Sequence, residues 1–150
     1  MTDVDAFRPD NRIGEMLVSA RSLAEYRAMF SLTDTDLAGT VLDCPGGAAS
    51  FTAELCAAAG RATACDPQYT RPLGTLAELA RTDLRRGYRY HQEHPDEYVW
   101  TFFAEPDAYL ASRTRSIELF TEHVAADPGR YVAARPAFRS EERRVGKECR

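Results

Sequence analysis

The chain has 150 residues, 44% apolar and 28% charged, with a formal net charge of −4. That is enough for one domain with its own core, and it excludes a disordered chain. The acidic balance gives no electrostatic reason to expect nucleic acid or an anionic membrane as partner, and no apolar run reaches the roughly 18 residues of a membrane span.

The chain opens on Met1-Thr2-Asp3-Val4-Asp5, which is acidic and lacks the apolar stretch of a secretory signal, so a cytoplasmic location is expected. Residues 1–11 show no period. Ile13, Met16, Leu17 and Ala20 then recur at helical spacing. Ser22 with Glu25 forms a capping-box pattern and opens a second helical piece carrying Leu23, Tyr26 and Phe30. This N-terminal helical region is expected to lie over one sheet edge as a lid, with Phe30 packed as core.

A polar turn over 33–39 leads to a short apolar strand, Thr40–Asp43. The turn Cys44-Pro45-Gly46-Gly47 follows, and residues 52–59 are alanine-rich and helical, with Gly60 as the expected stop. A second strand over 62–65 ends in Asp66, which completes a compact strand–helix–strand unit with the helix on one sheet face. Pro72 suits the first position of a helix; Leu73, Leu76, Ala77, Leu79, Ala80 and Leu84 give its apolar face, ending near Gly87. Residues 88–103 are aromatic-rich and loop-like around Pro95, and they read as core or pocket lining. Pro106 starts a helix to Ala126 with Ile117, Phe120 and Val124 on its apolar face. Asp127-Pro128-Gly129 is a turn, and 131–134 reads as a third strand. The fold class expected is α/β: an incomplete, Rossmann-like parallel sheet of about three strands with flanking helices.

Four cysteines, Cys44, Cys56, Cys65 and Cys149, lack metal-ligand spacing and read as reduced, small core residues. His91 and His94 fall in a solvated loop on this reading, and His123 is structural. The last twelve residues, 139–150, carry eight charges and one aliphatic side chain, and read as an artefactual foreign tail on a 1–138 domain.

Two cofactor classes use a strand–helix–strand unit with an acid ending its second strand, and in both that acid accepts from the ribose hydroxyls. The first loop separates the cofactor classes. A dinucleotide sets its pyrophosphate there against backbone N–H groups, where Asp43 would repel it. A cofactor with an ammonium and a sulfonium is compatible with that acid. The spaced glycines of a dinucleotide loop are absent; Gly46 and Gly47 stand alone. Charge favours S-adenosylmethionine, with an NAD-type nucleotide-binding module as the alternative. A ligand-free helical interaction protein, using 88–103 as its contact surface, is the third reading.

Val41-Leu42-Asp43-Cys44-Pro45-Gly46-Gly47-Ala48-Ala49-Ser50-Phe51 resembles motif I of class I S-adenosylmethionine-dependent methyltransferases. Ala62-Thr63-Ala64-Cys65-Asp66 resembles that family's second acidic motif. With Ser22-Leu-Ala-Glu-Tyr26 upstream and Asp66-Pro-Gln-Tyr69 downstream, the pattern is similar to a bacterial branch of these enzymes over about residues 22–70. The resemblance implies S-adenosylmethionine as cofactor, a small-molecule methyl acceptor, and contacts to the methionine part from Asp43, Gly46 and Gly47. It implies Asp66 on the ribose, and Pro67 and Gln68 beside the adenine. Pro45 and Ala49 depart from the family's glycines. Class I enzymes carry a seven-stranded sheet, so the resemblance also implies an N-terminal fragment, inactive alone, with no catalytic residue assignable.

Overall fold

A computed structural model describes residues 17–134. Five helices and three strands lie in the order α1 (Leu23–Phe30), α2 (Asp34–Leu37), β1 (Thr40–Asp43), α3 (Phe51–Ala57), β2 (Arg61–Cys65), α4 (Leu73–Glu93), α5 (Pro106–Ala126) and β3 (Tyr131–Val132). The strands form one parallel sheet in the order β1-β2-β3. Asp43 pairs with Ala64, and Cys65 with Val132, so the C-terminal ends of all three strands meet at one sheet edge. Parallel pairing requires crossovers, which α3 supplies between β1 and β2, and α4 with α5 between β2 and β3. The expected α/β sheet with flanking helices is present at this level.

Two apolar clusters hold the layers. One joins Leu76, Ala77, Ala80 and Leu84 of α4 to Ile117 and Phe120 of α5 and to Ala64 and Tyr131 of the sheet. The α4 positions recur at three- and four-residue intervals, so one stripe faces α5 throughout. Leu76, Ile117 and Phe120 have no exposed surface, and each such burial contributes roughly 1.5–3 kcal/mol. The second cluster packs Phe51 and Leu55 of α3 against Leu37 and Ala62, with Leu23, Tyr26 and Val41 at its margin. Glu54 ties this layer together: its Oε1 accepts the Leu23 N–H at 3.1 Å and the Ser50 hydroxyl.

The structure departs from expectation where chain-local signals compete with tertiary ones. Residues 17–22 are not helical; Ile13 and Met16 lie outside the described residues. The backbone of residues 18–21 is engaged across the molecule: the Val18 N–H donates to Asp83 Oδ2 (2.9 Å), and the Ser19 and Arg21 carbonyls accept from Ala48 and Ser50. The Ser22–Glu25 capping box does open α1. Phe30, expected in the core, is 61% exposed, and with Met29 and Leu42 it leaves apolar surface along β1. Helix α4 runs past Gly87 to Glu93, because Tyr88 to His91 continue its packing beside α5. The helix α3 stops on Ala59, not Gly60. Ala59 takes φ +62°, and the bonds Gly60 N–H to Leu55 O and Ala59 N–H to Cys56 O complete a Schellman motif. Gly60 serves a different purpose, since a Cβ there would come within 2.6 Å of Leu55. β3 is only two residues long. Cys65 is buried, but Cys56 is partly exposed and Cys44 exposed, which corrects the core reading for Cys44. Cys149, the 139–150 tail and the 138 boundary lie outside the described residues.

Candidate functional site

The turn after β1 is built around two buried acids. Asp43 ends β1 and Asp66 follows β2; each is 6% exposed. Their surroundings differ sharply. The Asp66 carboxylate accepts the Gly47 N–H on Oδ2 (2.9 Å) and the Gln68 N–H on Oδ1 (2.8 Å). The second bond makes Asp66 the N-cap of a 3-10 turn over Pro67–Thr70, with Pro67 at its first position. Asp66 therefore fastens the glycine turn to the end of β2.

Asp43 has one partner. The Tyr26 hydroxyl donates to its Oδ1 at 3.2 Å, while its Oδ2 is buried with no hydrogen-bond partner. Burial pushes the Asp43 carboxyl up to about 6; the Tyr26 hydrogen bond opposes that rise, and the charge of Asp66 adds to it. Burial, and then the Asp43 charge, push the Tyr26 phenol well above its ordinary range, so it remains a donor. A cavity of about 390 Å³ lies beside this acid, lined by Asp43, Cys44 and Pro45 and by Tyr26, Phe30 and Leu42.

The glycines are needed for contact. Gly47 has φ +52°, a left-handed conformation, and a Cβ there would lie 2.9 Å from the Ser19 carbonyl oxygen. A side chain at Gly46 would collide with the Tyr69 hydroxyl, which itself donates to Gly47 O at 2.8 Å. The Cys44–Pro45 peptide is cis.

The backbone donors of this turn are already engaged. Gly46 N–H donates to Cys65 O, Gly47 N–H to Asp66, Ala48 N–H to Ser19 O, and Ser50 N–H to Arg21 O. A phosphate at this turn would have to displace these acceptors and sit beside Asp43. The donor set therefore does not fit a pyrophosphate. The orphaned Asp43 oxygen is short of a donor, and a cationic ammonium fits it.

Of the residues singled out from sequence, the fold brings Asp43, Gly46, Gly47, Asp66 and Pro67 to one sheet edge, with Gln68 in the turn behind Asp66. Asp66, for which the resemblance implies a ribose role, has each of its oxygens accepting one backbone N–H group. Sequence reasoning gave no role to Tyr69, Ser19 and Arg21. Tyr69 stands four residues past the end of β2, where the 3-10 turn throws it back over Gly46; the Asp-Pro pair that starts this turn was the available signal. His94 closes α4, His91 sits in an aromatic cluster and not in a loop, and His123 Nδ1 lies 2.8 Å from the Tyr131 hydroxyl. Among the described residues no helix is long and apolar enough to cross a membrane, and no cluster of three or more His, Cys, Asp or Glu side chains is placed to hold a metal ion. Set against family models, curated proteins and solved structures, the chain matches none of them.

Proposed function

We propose that this chain is the cofactor-binding portion of an S-adenosylmethionine-dependent methyltransferase acting on a small-molecule acceptor. The observation that carries the reading is the Asp43 carboxylate: buried at the C-terminal end of β1, with one oxygen unpartnered, beside a glycine turn whose N–H groups face inward. That oxygen lacks a donor, and Arg21, which also lines the cavity, donates to Ser19 instead. Asp43 would hold the ammonium of the methionine part, Tyr26 would orient Asp43, and Asp66 would hold Gly46 and Gly47 in place through the Gly47 N–H. Pro67 and Gln68 begin the 3-10 turn that borders the far side of Asp66. When bound, the cofactor supplies a methyl carbon activated by its sulfonium, so the protein's contribution is positioning and exclusion of water.

Titration calorimetry tests this directly. S-adenosylmethionine is expected to bind the wild-type chain, Asp43→Asn to weaken it by about tenfold or more, and NADH to give no heat. Absence of binding to the wild type, or equal affinity for Asp43→Asn, overturns the reading.

A further inference from the structure

A second site lies on the other side of residues 19–21. His91 of α4, Tyr98 and Trp100 of the connecting loop, and Tyr109 of α5 form an aromatic cluster. The His91 ring centroid is 4.2 Å from Tyr98, 4.8 Å from Tyr109 and 5.3 Å from Trp100. The Arg113 guanidinium lies 5.1 Å from the Tyr109 ring centroid and pairs with Glu25 at 2.6 Å. Two cavities, of about 300 and 330 Å³, share a wall made of His91, Tyr98, Tyr109 and Arg113. Arg21 lines the first.

Two polar atoms in this wall are buried without a hydrogen-bond partner: Arg113 Nε and His91 Nδ1. An unsatisfied buried N–H is costly, and a native structure resolves it with a ligand or a water. Arg113 Nε can only donate, so its partner must accept. The charge balance favours an anion. Arg113 is matched by Glu25, and Asp83 by Arg86, which leaves Arg21 without a carboxylate among the described residues. Aromatic walls favour a flat ring, and the volume is at the small end for ligand pockets. We propose that the first of these cavities binds a small aromatic carboxylate, its ring against His91, Tyr98 and Tyr109 and its carboxylate at the Arg113 guanidinium with Arg21 nearby. The inference uses neither acid of the methyl-donor site; Arg21 also lines the Asp43 cavity, whereas His91, Tyr98, Tyr109 and Arg113 do not.

Trp100 is the chain's single tryptophan, so its fluorescence reports on this cluster alone. The full chain is titrated with benzoate, with benzamide, which keeps the ring and loses the charge, and with cyclohexanecarboxylate, which keeps the charge and loses the flat ring. Benzoate is expected to give a saturable change at concentrations about tenfold lower than either analogue. Arg113→Gln is expected to abolish that preference. Because it also strips Glu25 of its partner, Arg21→Gln is measured beside it, with an expected loss of about fivefold in benzoate affinity and an unchanged melting temperature. A flat benzoate titration, an equal response to either analogue, or full benzoate affinity in Arg21→Gln overturns the proposal.

Discussion

Asp43 and Asp66 stand at the ends of neighbouring strands and are equally buried, yet both oxygens of one are hydrogen-bonded and only one oxygen of the other is. Asp66 accepts two backbone N–H groups and belongs to the scaffold. Asp43 accepts one phenol and keeps an orphan oxygen. A buried charge without full compensation lowers stability, and such sites commonly bind something. The pair shows that two acids in matching positions divide into one held by two backbone N–H groups and one with an oxygen left unpartnered. Burial alone does not separate them; the hydrogen-bond partners do.

The largest expected effect comes from cutting the scaffold acid. Asp66→Ala leaves the Gly47 and Gln68 N–H groups without acceptors, and a loss on the order of 4 kcal/mol is expected, read as a lower midpoint in denaturant. A loss below about 1 kcal/mol would erase the distinction between the two acids. Asp43→Asn should act in the opposite direction. The native carboxyl titrates at about 6 against 3.8 for the ordinary group, so between those values the folded protein holds a proton that the unfolded chain has released. Wild-type stability therefore falls as pH rises from about 4 to 6 and stays lowered above that. Asp43→Asn removes this dependence and is expected to be more stable than wild type by up to about 3 kcal/mol at pH 7, with the gap closing near pH 4. Urea denaturation across that range checks it; a gap independent of pH would mean that Asp43 is not the titrating group. Tyr26→Phe has the smallest effect. It removes the one donor to Asp43, should cost about 1 kcal/mol, and should move the Asp43 titration further up, as followed by carboxyl NMR.

Much of the sheet was legible because its signals are local. The run from Thr40 to Asp43, the Ser22–Glu25 capping box and the Pro106 start of α5 are each decided by a few adjacent residues, and each appears where the sequence puts it. Misreadings arose where distant partners decide. Leu17 and Ala20 keep a helical spacing, but the loop N–H groups of Ala48 and Ser50 hold that segment out of a helix. Gly87 carries a stop signal that packing of His91 on Tyr109 overrides. Ala59 accepts a left-handed conformation because the Schellman bonds and the close approach of Gly60 to Leu55 fix the chain there. The division of labour between Asp43 and Asp66 was also hidden, since it depends on Tyr26 and Gly47, seventeen and nineteen residues away in sequence.

The shared acceptor Glu54 has a consequence for how the molecule moves. Its carboxylate joins the first turn of α1 to the first turn of α3, while Glu25 anchors α1 to Arg113 of α5. An α1 pinned at two points does not swing as an independent flap. Opening the Asp43 cavity by moving Tyr26 aside would have to break both anchors together, so the amides of α1 and of the start of α3 should exchange with solvent in a single cooperative event. Access to the acid would then be governed by the stability of that whole unit and not by the flexibility of its outermost helix.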